Sequence, residues 1–330
     1  MPTYLTPGIY IEEIPSGPRP IEAVGTSTAA FIGLAPNPNA RLHEAVACNN
    51  WSQFAKEFTA EGTGSTPLAQ AVYGFFLNGG ARCYVVNIGP KGELVGDGRQ
   101  RKGIELLEEV DEVAIVAAPG LSDLASYDTV LSHCEKLKDR VAILDPPEDV
   151  PNIDLLKTVG TAGPTPKAKK GEGEPPPPPP VTGMLPRPSN YGAFYFPWFK
   201  VSNPFSPKDL ISVPPSGHIA GIYARTDATR GVHKAPANEI VRGALGLNYS
   251  VTREEQGELN KLGVNCIRVF ATQGIRVWGA RMRADDPQWR YVNVRRLFNQ
   301  IEESIEEGTN WVVFEPNDMS LWKSIRRDVG

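Results

Sequence analysis

The sequence predicts an α/β fold, a mixed sheet flanked by helices and preceded by an extended N-terminal arm. Apolar runs short enough for strands, Cys83–Ile88, Val113–Ala117 and Val141–Leu144, alternate with stretches of helical periodicity. That order places strands side by side in a partly parallel sheet with helices over its faces. Hydrophobic residues fill 41% of the 330 positions, enough for a sizeable core in roughly two domains. Before Ile21, by contrast, one short strand pattern is fenced by Pro15, Gly17, Pro18 and Pro20 and has little core to join.

Within that arm Pro7-Gly8 marks a turn, and Ile9–Ile14 is a strand of β-branched, aromatic and acidic residues. A tethered strand of this kind packs back on its own domain or adds to the open sheet edge of a neighbour. The globular part opens with the small-residue strand Thr26–Leu34. Thr66-Pro67 then supplies a cap and a first-turn proline for a helix whose Leu68, Val72, Phe75 and Phe76 share one side, and Gly79-Gly80 stops it. Leu124, Tyr127, Val130, Leu131, Cys134 and Leu137 make a second helical stripe.

From Gly160 to Ser189 the composition changes to Lys167–Glu174 followed by Pro175 to Pro180. A short polyproline II rod in a surface loop is expected there; a solvated loop is the simpler reading than a ligand for an SH3-type module. Regular structure resumes at Gly192–Val201, and Pro214–Asp227 leads through a turn into a small-residue helix or strand. Thr252 and Glu255 form a capping box for a helix that Gly263 ends. Val264–Phe270 and Ile275–Trp278 pair around a turn at Gly274. The last clear helix is predicted from a cap at Asn293 to Gly308. Its apolar stripe is Val294, Leu297, Phe298, Ile301 and Ile305, with Arg295, Arg296, Glu302, Glu303 and Glu306 outside.

Composition removes several classes of function. The net charge of −4 gives no global attraction to nucleic acid or anionic lipid. No apolar run approaches the roughly 18 residues of a membrane span, and Met1–Leu5 lacks the pattern of a secretory signal, so cytosolic folding is expected. Cys48, Cys83, Cys134 and Cys266 lie far apart without a C-x-x-C pair and are read as reduced and buried. His43, His133, His218 and His233 show no zinc spacing, and His133 beside Cys134 on a helix would face another direction. Neither phosphate-loop motif is present. Asp145 follows a strand, where α/β enzymes place acids, but Pro146-Pro147 reads as a turn. No catalytic residue, cofactor or metal is therefore expected.

Arginines and aromatics interleave at Arg276, Trp278, Arg281, Arg283, Trp289, Arg290, Tyr291, Arg295 and Arg296. The blend would suit single-stranded nucleic acid, except that Glu302, Glu303, Glu306 and Glu307 follow and would repel phosphate. Arginine paired with carboxylates is the chemistry of a protein contact, within one chain or between subunits.

Several blocks resemble contractile tail-sheath proteins of phages and related injection machines: Tyr4–Glu13, Thr26–Gly33, Asn78–Gly80, Pro214–Asp227, Ala235–Asn238, Leu259–Asn265, Arg276–Arg283, Trp289–Arg296 and Val313–Asn317. The resemblance implies a structural subunit, not an enzyme, that polymerises helically around an inner tube and contracts to drive the tube through a target envelope. It implies an assembly arm carrying Tyr4, Pro7, Gly8, Ile9, Tyr10, Ile11, Glu12 and Glu13. It makes Arg276, Trp278, Arg281, Arg283, Arg295, Arg296, Glu302, Glu303 and Glu306 candidates for subunit or tube contacts. Implied partners are other copies of the chain or sister sheath proteins, an inner tube protein, and baseplate and cap proteins, with no nucleic acid and no direct membrane insertion. Assembly in the cytoplasm and incorporation into a phage tail or injection particle follow.

The implied layout is an arm at 1–20, a main α/β domain at 21–285 with a protruding middle part at about 91–200 that carries the 160–189 loop, and at 286–330 the start of a tube-facing domain. Family members usually continue past a segment like Leu321–Val329, so the C-terminal α+β domain is expected to be incomplete. The competing reading is a soluble α/β enzyme or ligand-binding protein with a site at the strand carboxyl ends.

Overall fold

Small and β-branched residues set the strands, and period-two alternation sends successive side chains into two separate cores. A computed structural model describes residues 21–96, 98–161 and 182–329. The expected assembly arm, residues 4–13, and the proline run Pro175–Pro180 lie outside the described residues. The chain divides into two units, residues 25–300 and residues 301–330 together with the N-terminal residues up to Val24.

In the larger unit the elements are β1 (Ala29–Gly33), β2 (Ala45–Cys48), α1 (Trp51–Phe58), α2 (Pro67–Asn78), β3 (Cys83–Asn87), β4 (Ile115–Ala117), α3 (Leu124–Leu137) and β5 (Val141–Leu144). They continue with β6 (Gly192–Phe196), β7 (Phe199–Asn203), β8 (Ser206–Val213), α4 (Ser216–Arg230), β9 (Gly246–Leu247), α5 (Arg253–Lys261), β10 (Val264–Phe270) and β11 (Gly274–Val277). The helix α6 (Val292–Thr309) and then α7 (Met319–Val329) complete the chain. One sheet runs β11-β10-β6-β5-β4-β1-β3-β2. Its six inner strands are parallel, and antiparallel β11 and β2 are the two edge strands. Beside it, β8-β7-β9 form a small antiparallel sheet.

The two cores are the two faces of the large sheet. Phe31, Val85, Ile143 and Tyr195 turn toward α1, α2 and α4, where Phe54, Phe58, Phe75 and Tyr223 are buried. Ile32, Val86, Leu144 and Phe194 turn the other way, toward Tyr127, Leu131 and Cys134 of α3 and Leu259 of α5. Each buried aromatic or branched side chain contributes about 1.5–3 kcal/mol of transfer free energy. The result is a helix–sheet–helix sandwich, as the alternation predicts.

Local chemistry fixes the helix ends. Thr66 caps α2 through Ala69 N–H, and Gly79 at φ 116° ends it with Gly80 N–H donating to Phe75 C=O. Thr252 and Glu255 close the capping box of α5. Pro215 precedes α4 and has no side-chain cap to offer. The carboxylate of Asp145, from the end of β5, supplies one instead, accepting from Ser216 N–H at 2.7 Å and Ser216 O–H at 2.6 Å. Close approach of α4 to α2 depends on glycine: a Cβ on Gly217 would lie 2.3 Å from Ala71 Cα, and one on Gly74 2.1 Å from His218 Nδ1.

One open reading is settled and two expectations require correction. Pro214–Asp227, undecided between helix and strand, is helical as α4. At α6 the helix begins at Val292, so Asn293 is not its cap; its amide donates to His233 C=O at 2.8 Å. The predicted polarity of α6 is also partly reversed. Arg295 and Arg296 are 4% and 3% exposed, whereas Phe298, Ile301 and Ile305 are 43%, 45% and 36% exposed. Aromatic faces and a buried carboxylate make the difference, because they solvate the two guanidinium groups inside the fold. The helices α1 and α7, the strand β2 and the small sheet were not anticipated.

In the smaller unit Val24 N–H donates to Ser304 Oγ at 3.0 Å. Asp318 caps α7 by accepting from Ser320 and Leu321 N–H at 2.9 Å. Val313, Phe314, Met319 and Trp322 are exposed there.

Candidate assembly surfaces

The contact candidates fall into two physical groups. Arg295, on α6, has its guanidinium carbon 4.0 Å from the Trp289 ring centre and 4.9 Å from that of Tyr191, and its Nε donates to Asn299 Oδ1 at 2.6 Å. Arg296 is paired with Asp227, with Nη1 at 2.9 Å from Oδ1. It also donates to Thr26 C=O at 2.9 Å and lies 4.7 Å from the Tyr223 ring. Arg283 donates to the carbonyls of Leu262 and Pro186, while its backbone bonds Gly192 and Ser189. Burial lowers the Arg283 pKa from its ordinary value. These three side chains brace α6, β6 and the segments before β6 and after α5.

Arg276, Trp278 and Arg281 reach the surface of the hairpin region. Arg276 is half-buried and donates to Asn238 C=O at 2.7 Å. Trp278 is 36% exposed and packs on Phe270 with ring centres 4.5 Å apart. Arg268 approaches the same Phe270 ring at 5.6 Å, and Val269 beside it is 55% exposed. Arg281 is half-buried, donates to Asn260 C=O at 3.0 Å and lies 5.9 Å from the Tyr291 ring. Together these residues combine cation, aromatic and apolar character, the composition of protein-contact hot spots. Glu302 and Glu306 are exposed on α6 and Glu303 is half-buried.

Three buried asparagines were missed by sequence reasoning. Asn78 joins α2 to Arg242, accepting its N–H at 2.9 Å and donating to its C=O at 3.1 Å. Asn87 donates to Ala40 C=O at 2.7 Å and accepts from Ala35 and Gly89 N–H. Asn265 donates to Arg281 C=O at 2.7 Å and accepts its N–H at 2.6 Å, so it sets the backbone that presents Arg281. An asparagine inside an apolar strand, as in Val264-Asn265-Cys266, is the available signal, because a buried amide needs partners.

At the strand carboxyl ends lies an open cleft of about 440 Å³, lined by Glu148, Asp149, Phe196, Lys200, Ser212, Asn248 and Tyr249, among others. Asp145 does not open into it, being 2% exposed. Burial pushes its carboxyl up to about 7, although Ser216 and Gly120 donate to it. His133 and Cys134, adjacent on α3, are both buried, and burial holds the histidine down at about 4. No group of three metal-ligating side chains occurs among the described residues, and no described helix is long and apolar enough to cross a membrane.

Residues 182–281 match the profile of the phage tail sheath protein central domain, and residues 284–330 that of the phage tail sheath C-terminal domain. The tail sheath protein of Salmonella phage ViI is 26% identical over 227 residues, 65% of this chain and 35% of that protein. A prophage major tail sheath protein of Pseudomonas aeruginosa strain UCBPP-PA14 is 29% identical over 120 residues, 35% of this chain and 30% of that one. The chain thus spans about a third of the length of these curated relatives. Solved structures match more completely. The contracted sheath of the extracellular contractile injection system PVC superposes with a TM-score of 0.77 at 28% identity, over 100% of this chain and 81% of that one. The contracted helical sheath of the anti-feeding prophage gives 0.71 at 28% identity, over 99% and 82%.

Proposed function

From the premise that the chain belongs to the tail sheath family of phage tails and contractile injection systems, we propose that it is a sheath subunit which polymerises helically around an inner tube. Contraction of that polymer drives the tube through a target envelope. The observation that carries this reading is the match along the whole chain to a contracted sheath.

The larger unit suits a body that moves without deforming, since its sheet is buried on both faces. Work then comes from repacking between subunits rather than from nucleotide hydrolysis, and the protein is a structural component, not an enzyme. Residues 4–13 form the arm that links neighbours. Arg276, Trp278 and Arg281, with Glu302, Glu303 and Glu306, make subunit or tube contacts, while Arg283, Arg295 and Arg296 brace those surfaces. Partners are further copies or sister sheath proteins, an inner tube protein, and baseplate and cap proteins. Assembly takes place in the cytoplasm before incorporation into the particle.

Negative-stain electron microscopy of the purified chain, with and without an inner tube protein, tests the proposal. Striated tubes are expected, lost on deletion of residues 1–14. Trp278→Ala should weaken assembly while the melting temperature holds, whereas Arg295→Ala should lower the melting temperature first. A chain that stays monomeric at all concentrations, with the tube protein present, would refute sheath assembly.

A further inference from the structure

Two of the four cysteines stand opposite each other in the sheet. β2 runs antiparallel to β3 with Ala45 against Val86, Val46 against Val85, Ala47 against Tyr84 and Cys48 against Cys83. Opposed residues of an antiparallel pair point to the same face, and both cysteines belong to the core on the α1, α2 and α4 side, each 0% exposed. The register also fixes the kind of pair. Asn87 accepts from His43 N–H at 2.9 Å, whereas Ile88 N–H donates to Gly33 of β1. Odd-numbered residues of β3 therefore turn their backbone groups toward β2, and Cys48–Cys83 is a hydrogen-bonded pair. Such pairs have Cα atoms about 5.5 Å apart, inside the range that a disulfide bridges. The other two thiols lack this relation: Cys266 stands opposite Phe196, and Cys134 is on α3.

We propose that Cys48 and Cys83 are an oxidation site, converted to a cross-strand disulfide by a low-molecular-weight disulfide such as oxidised glutathione. The thiolate of one cysteine attacks the reagent, forming a mixed disulfide and expelling one glutathione thiolate. The second cysteine attacks the protein sulfur of that mixed disulfide and expels the other. In sum, two protein thiols and one glutathione disulfide give one protein disulfide and two glutathione thiols, so two electrons pass from protein to reagent. The bond would clamp β2, the edge strand of the sheet, to β3 and close a loop that contains α1 and α2.

Burial raises the Cys48 pKa to about 11 and moves that of Cys83 well above its ordinary value, so both are thiols at neutral pH. Exchange therefore needs an opening of the edge strand, and the bond forms during folding or after fraying rather than in the closed protein. The site does not depend on the assembly reading.

The test is to refold the full chain from denaturant in a glutathione redox buffer, which removes the barrier of burial, and to map disulfides by mass spectrometry of the unreduced digest. Joined peptides containing Cys48 and Cys83 are expected, with two of four thiols lost to alkylation. The thermal midpoint should rise by on the order of 5 °C, reversed by reductant. Cys48→Ser and Cys83→Ser should each abolish the link and the shift, and Cys134→Ser should keep both. Refolded protein with native circular dichroism but four free thiols would overturn the proposal. So would glutathione held at either position without closure, or a link between another pair.

Discussion

The pair between Arg296 and Asp227 offers the sharpest test of how the larger unit holds together. The Asp227 side chain is 8% exposed and that of Arg296 3%, so neither charge can turn to water when its partner is removed. Asp227→Asn keeps shape and one acceptor, and leaves the guanidinium with Thr26 C=O and the Tyr223 face for compensation. Removing one partner of a buried pair costs about 3–5 kcal/mol. With a urea dependence of about 3 kcal/mol per molar, the midpoint should fall by about 1–1.7 M. The double substitution Asp227→Asn/Arg296→Met retains stem packing against Tyr223 and leaves no orphaned charge, so it should cost about 1–2 kcal/mol. Far-UV circular dichroism in urea measures both. An Asp227→Asn variant within 1 kcal/mol of the parent, or a double variant at least as unstable as the single one, would refute the claim that an orphaned charge dominates.

Four further outcomes follow from the packing and from buried titratable groups. Gly217→Ala should cost about 3 kcal/mol or more, because the new Cβ meets the Ala71 backbone at 2.3 Å. Gly257→Ala, with nothing within 4 Å on the exposed face of α5, should instead stabilise by about 0.5–1 kcal/mol, and thermal melts compare the two. His218 is 1% exposed, sits edge-on to Phe199, and has no hydrogen-bond partner for either ring nitrogen among the described residues. Burial lowers its pKa to about 3, so below pH 6.5 the unfolded chain takes up a proton that the folded chain refuses. The parent should therefore lose stability relative to His218→Leu as pH falls, by about 2 kcal/mol at pH 5. Asp145 has the opposite sign: with its folded value raised to about 7, stability is lost as pH rises from about 4 through 7. Asp145→Asn should remove that slope, as denaturation midpoints across pH would register.

The sandwich was legible because its determinants are local. Strand runs such as Val141–Leu144, the Thr66-Pro67 helix start, the Gly79 stop and the Thr252 capping box each act within a few residues, and each forms as expected. What escaped depends on partners distant in sequence. The small sheet needs β9 to reach β7, and the start of α4 depends on a carboxylate 71 positions earlier. Periodicity in α6 misled because an arginine is scored as a surface residue, whereas Tyr191, Tyr223, Trp289 and Asp227 make the interior at Arg295 and Arg296 a place where guanidinium groups are solvated.

The same chemistry explains why the candidate contacts could not be sorted by residue type. A guanidinium stacked on an indole and paired with a carboxylate stabilises a fold and an interface by the same forces, so the sequence marks both alike. Burial separates them. At Arg295 and Arg296 the aromatic faces are already occupied within the chain, and a partner could reach them only by unpacking α6. On the β10–β11 hairpin, Phe270 and Trp278 pack at a tilt on the face that Arg268 and Arg276 share, with Trp278 36% exposed, while Val269 alternates to the opposite face and is 55% exposed. Capping either face with a second protein would remove apolar area from water without breaking an existing bond. Substitutions on the hairpin should therefore act on association, and those at the α6 arginines on folding.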